Sequence, residues 1–138
     1  MKNQKLEEFV NRLGMELKLK PSFETTNIEG EYFLNGKEKS YTKNGVYLGR
    51  IQHLKWYVSF IESDDSSIEL FMIKVNKNYR GNGIGIDLIN TILNISDELN
   101  ISIKLIPYSF DTDSDEVQKC LDNLNSPNQV LKIYNRYK

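Results

Sequence analysis

The chain has 138 residues, the size of one domain, and 39% of them are hydrophobic, enough to build a core without covalent staples. Its 18 basic and 19 acidic side chains leave a net charge of −1, which argues against the basic excess that nucleic-acid or anionic-membrane binding requires. One cysteine, Cys120, and one histidine, His53, exclude an internal disulfide and argue against a zinc site, and no apolar run approaches the ~20 residues of a membrane span. Met1–Lys5 lead into a polar amphipathic segment and not into an apolar signal core. The expectation is a cytoplasmic protein of one α/β domain, residues 1–138.

Leu6, Phe9, Val10, Leu13 and Leu17 recur at helical spacing, and Lys20-Pro21 closes that helix because the residue before proline avoids the α region. Residues 22–44 are polar, with turn signals at Asn35-Gly36 and Asn44-Gly45; the first, after Tyr32-Phe33-Leu34, predicts a hairpin. Val46–Leu48 and Leu54–Ile61 read as strands, with His53 in the turn between them, and Ser63–Ser66 as a turn. Ile68–Val75 is apolar apart from Glu69 and Lys74, the pattern of a central strand buried on both faces. A polar, glycine-rich stretch follows. Ile84, Leu88, Ile89, Ile92, Leu93 and Leu99 then mark a helix over about 84–99, with Asn100 as a left-handed cap. Ile101, Ile103 and Leu105 alternate in a further strand that Pro107 stops, so 68–106 reads as a crossover between parallel strands. The remainder reads as helical, with capping signatures at Asp113/Glu116 and Ser126–Gln129, and Cys120 packs on the face of the first of these helices.

The informative stretch is Arg80-Gly81-Asn82-Gly83-Ile84-Gly85, between a buried strand and a helix start. Glycine allows positive φ and close backbone approach, and the first N–H groups of a helix lack intrahelical partners at its positive dipole end. With Arg80 as an adjacent cation, this is the composition of a pyrophosphate cradle. The same glycines also serve a plain strand-to-helix turn. A dinucleotide fingerprint fails, because Ile86 stands where the third glycine belongs. A Walker A loop fails for want of Gly-Lys-Ser/Thr.

Val75-Asn76-Lys77-Asn78-Tyr79-Arg80-Gly81-Asn82-Gly83-Ile84-Gly85 closely resembles the acyl-CoA loop of the GNAT superfamily of N-acetyltransferases, Arg/Gln-x-x-Gly-x-Gly/Ala. Arg80, Gly83 and Gly85 fall on the fixed positions. The resemblance implies a mixed, splayed sheet flanked by helices, open between strands 68–75 and 101–106. Acetyl-CoA is the implied cosubstrate, with its pyrophosphate on Arg80, Gly81, Asn82, Gly83, Ile84 and Gly85 and its pantetheine amides on the backbone near Ile73 and Val75. It also implies catalytic roles, carried by Glu69, six residues before Val75, as general base and by Tyr134, in Val130–Tyr137, as the acid for the thiolate. The likeness covers about residues 46–138.

The chain departs from the family pattern at four places. Pro127 stands where many members carry asparagine, with Asn128 one position off; Lys138 occupies a glycine position; and the two C-terminal strands are missing. A helix also replaces the first strand. An unclosed sheet edge suggests a homodimer. Residue by residue, Glu69 reads either as that base or as a carboxylate at a strand edge, and Tyr134 either as that acid or as a core aromatic. Asp111, Asp113, Asp115 and Glu116 read as helix-start capping, with recruitment of a cationic amine as the alternative. The expected reaction is direct acetyl transfer to an amine of a small molecule or protein, without metal, nucleic acid or membrane; the rival is a non-catalytic module that binds acyl-CoA or a protein partner.

Overall fold

The computed structural model describes residues 4–62, 67–105 and 110–111. Its elements are α1 (Gln4–Leu17), β1 (Ser22–Leu34), β2 (Lys37–Gln52), β3 (Trp56–Glu62), β4 (Ile68–Val75), α2 (Ile84–Leu99), β5 (Ile103–Leu105) and β6 (Phe110–Asp111). The fold is α+β. One mixed sheet has the order β1-β2-β3-β4-β5, antiparallel from β1 to β4 and parallel at β4–β5, with β6 parallel to the upper part of β4.

Periodicity explains the helices. The α1 stripe buries Leu6, Phe9, Val10 and Leu13, and the α2 stripe buries Leu88, Ile89, Ile92, Leu93 and Ile95. Both lie on the same face of the sheet, over Ile51, Val58, Phe60, Ile68, Leu70 and Ile73. Phe9 meets Phe60 edge to face, with ring centroids 5.2 Å apart. Arg12 Nε and Nη2 donate to both Glu98 carboxylate oxygens at 2.8 and 3.0 Å, tying α1 to α2, and this pairing raises the already high Arg12 pKa. Asn100 ends α2 in the left-handed region (φ 54°), while Ile101 N–H donates to Ser96 C=O at 3.0 Å.

Gly49 on β2 leaves room for Val10 of α1 and for Phe23 of β1. A Cβ there would lie 2.9 Å from Val10 Cγ2 and 3.0 Å from Phe23 Cε1. Gly49→Ala should therefore push α1 off the sheet and cost about 1–3 kcal/mol by overpacking. Urea denaturation should show a lower midpoint with an unchanged slope. An unshifted midpoint would mean that α1 yields without cost.

Three expectations are corrected. Asn44-Gly45 is not a turn: β2 runs straight through it, and the extra residue is a bulge around Asn27, whose Oδ1 accepts the Gly45 N–H at 3.0 Å. The real turn is Asn35-Gly36, both with positive φ (53° and 77°). Residues from 107 onward are not wholly without strand, since Phe110–Asp111 pair with Ile73–Lys74. Glu69 is not at a strand edge but inside the sheet, between Ile61 and Lys104, and is 3% exposed. The segments assigned to helices at 113–124 and 126–137, with Asp113, Asp115, Glu116, Cys120, Pro127, Asn128 and Tyr134, lie outside the described residues.

Candidate functional site

The site grows from the C-terminal end of β4. Past Val75, Asn76 holds the chain to the β2–β3 turn: its N–H donates to Lys55 C=O at 2.8 Å and its Nδ2 to Leu54 C=O at 2.7 Å. That turn is itself stiff. His53 N–H donates to Trp56 C=O at 2.8 Å, Lys55 N–H donates to His53 Nδ1 at 3.0 Å, and the His53 and Trp56 rings stack. His53 thus takes the turn position read from the sequence. Lys77–Tyr79 then form a single 3-10 turn, closed by Tyr79 N–H to Asn76 C=O at 2.9 Å.

Arg80 follows, and its Nε donates to Val75 C=O at 2.8 Å. This bond crosses back to the end of β4 and fixes the guanidinium beside the loop. Gly81 (φ 84°) and Gly83 (φ 80°) both take the left-handed conformation, and a Cβ at either would meet nothing within 4 Å among the described residues. The glycines are required by backbone angle and not by crowding, so the loop's outer side is open. Gly83 is the N-cap of α2, and Asp87 N–H is the first to find an intrahelical acceptor, Gly83 C=O at 3.0 Å. The N–H groups of Ile84, Gly85 and Ile86 precede that bond, as the first turn of any α-helix requires. A Cβ at Gly85 would reach only ordinary contact with Val75 Cγ2 at 3.9 Å, so packing does not demand glycine there.

Cations border this opening. Lys55 Nζ lies 5.1 Å from the Tyr79 ring centroid, and Lys77 and Arg80 stand in the same segment, against Asp87 in the first turn of α2. The sequence reading missed Asn76 and Lys55. Their partners are some twenty residues away in the chain, and only the β3–β4 pairing brings them together.

The other expected site residues are spread along β4. β5 pairs with Ile68–Leu70 only; farther along that edge, Ile73 and Lys74 pair with Phe110 and Asp111, and Val75 lies past the last bridge. Glu69 sits six residues, or roughly 20 Å, below Val75 at strand rise. It faces away from the helices, since its register partner Ile61 belongs to the second apolar cluster with Ile28 and Leu48. Lys104 is its neighbour across β4–β5. Among the described residues no group of His, Cys, Asp and Glu is placed to hold a metal, and no helix is long and apolar enough to cross a membrane. No protein-family model, curated protein or solved structure matches the chain.

Proposed function

We propose that the protein is an acetyl-CoA-dependent N-acetyltransferase whose cofactor pyrophosphate rests on residues 80–85. The observation that carries this reading is the pair of left-handed glycines, open on their outer side, leading from a parallel-paired strand into a helix N-terminus beside an Arg80 anchored on Val75 C=O. Oriented backbone N–H groups and a fixed guanidinium are what a diphosphate needs, and the motif's resemblance to the GNAT loop supplies the chemistry.

In this reading the acceptor amine loses a proton, attacks the thioester carbonyl, and expels CoA as a thiolate. Glu69 takes the amine proton, directly or through water, and Tyr134 protonates the thiolate. Backbone N–H groups of β4 that polarise the carbonyl oxygen would supply the remaining electrostatic assistance. Glu69→Gln keeps shape while removing the proton acceptor, so kcat should fall by about 10²-fold with CoA affinity unchanged. Equal rates in wild type and Glu69→Gln would leave Glu69 a structural carboxylate.

One observation favours the rival, a non-catalytic module that binds acyl-CoA or a protein partner, and within it the protein-binding arm. The bridge from Ile73–Lys74 to β6 occupies backbone that the pantetheine arm would use. A panel of amines with acetyl-CoA, followed by free-thiol release, separates the two when set beside CoA titration calorimetry. Thiol release that depends on an amine supports the transferase; CoA binding without release supports an acyl-CoA-binding module; neither would remove both of these and leave the protein-binding module.

A further inference from the structure

The sheet face turned away from α1 and α2 carries a second polar constellation. Register puts Arg50 opposite Ser59 and Gln52 opposite Tyr57 across β2–β3, then Ser59 opposite Met72 and Tyr57 opposite Lys74 across β3–β4. Directly opposed residues share a face, so these six side chains form one patch. The Arg50 guanidinium carbon lies 4.3 Å from the Tyr57 ring centroid, and Nη2 donates to Gln52 Oε1 at 2.7 Å. Gln52 is held in turn, because its Nε2 donates to His53 C=O at 2.9 Å. The guanidinium is therefore fixed in plane and direction.

Its Nε–H is buried and has no hydrogen-bond partner among the described residues. Arg50 forms no ion pair among them either, and the acidic side chain diagonal to it on β1, Glu24, stands exposed and unbridged to it. A buried charged donor left unpaired is costly, and native structures reserve such donors for a water, an ion or a ligand. Gln52 and Lys74 are exposed, so the patch opens to solvent at the end of the sheet nearest the glycine loop.

We propose that Arg50 anchors an oxyanion-binding site on this face, accepting one carboxylate or phosphate oxygen of a small organic anion on its Nε–H. Stacking on Tyr57 and the Gln52 bond prepay the ordering of the side chain, which is the usual cost of recruiting a surface arginine. The Ser59 hydroxyl across the strand offers the anion a second donor. The site does not depend on the acyl-CoA reading.

The test follows the Arg50 Nε–H resonance in the ¹⁵N-labelled full chain, assigned by its loss in Arg50→Lys, in an amine buffer at ionic strength fixed with sodium chloride. Sodium acetate and sodium phosphate are titrated separately. A saturable shift with at least one of them is expected; acetate alone would identify a carboxylate site and phosphate alone a phosphate site. Arg50→Lys keeps the charge but lacks Nε, and its anion-induced rise in Tm should require roughly tenfold more anion, about 1.4 kcal/mol. No saturable shift with either anion, or an equal Tm response in Arg50→Lys, overturns the proposal. If the variant does not fold, the resonance is assigned in the wild-type chain through its proximity to the Tyr57 ring protons, and the titration then decides by itself.

Discussion

On the proposed acetyltransferase reading, CoA should raise the melting temperature of the wild-type protein and Gly83→Val should abolish that rise. A ligand present at a hundredfold excess over its Kd stabilises the folded state by about 2.7 kcal/mol, so the wild-type signal is large. Gly83 has φ 80° and caps α2. Valine there projects a branched side chain into the open side of the loop, where the diphosphate would lie, and its left-handed backbone costs about 1–2 kcal/mol. That strain lowers stability without ligand and needs a matched control. Gly45→Val supplies one, since Gly45 also has positive φ (64°) and empty surroundings but lies in the β1–β2 bulge, away from the loop. The control should lose stability yet keep its response to CoA. A CoA response in Gly83→Val equal to that of Gly45→Val would show that the loop is not the phosphate site.

Tyr134→Phe should lower kcat by about 10²–10⁴-fold while leaving CoA affinity intact. A thiolate leaving group must be protonated, and phenylalanine retains the aromatic volume while removing the only proton that the side chain can give. Calorimetric CoA titration of the variant, beside thiol-release kinetics, separates lost chemistry from lost folding. An unchanged kcat would make Tyr134 a packing residue on its sequence-predicted helix, and the transferase would then need another acid.

Much of the fold was legible because burial writes a period into the chain. The stripe of α2 and the apolar run of β4 gave the bounds found in the structure, and Asn100 marked the end of α2. Within 22–44 the hairpin at Asn35-Gly36 was legible, but the length of its two strands was not, and the physical reason is plain. Beyond Leu48, β2 pairs only with β1, and Lys37–Ser40 are exposed, so no buried face imposes alternation and the residues read only as polar, with turn signals. Asn44-Gly45 carries the composition of a turn, but side-chain capture by Asn27 makes it a bulge. At the loop, the need for Gly81 and Gly83 was readable from residue type alone. The bond from Arg80 to Val75 C=O and the support from Asn76 were not, because they rest on where β3 and β4 end in space. Glu69 read as a general base or a strand-edge carboxylate; the apolar run of 68–75 and its crossover to 101–106 already pointed to a central strand, but residue type alone did not show that the carboxylate is buried there between Ile61 and Lys104.

The ribbon formed by Ile28–Leu34 and Lys37–Lys43 is about 20 Å long and lies wholly beyond the last β2–β3 pair, Leu48–Ile61, held by one ladder of main-chain bonds. Two strands alone are marginal in water. Its amides should therefore exchange with deuterium through local opening that leaves the rest of the sheet intact, faster toward Asn35-Gly36 and slower toward the bulge at Asn27. Amides of β3 and β4 should exchange only on global unfolding. The bulge thus divides one continuous hairpin into two cooperative units, an outer one free to fray and an inner one that shares the stability of the core beneath α1 and α2.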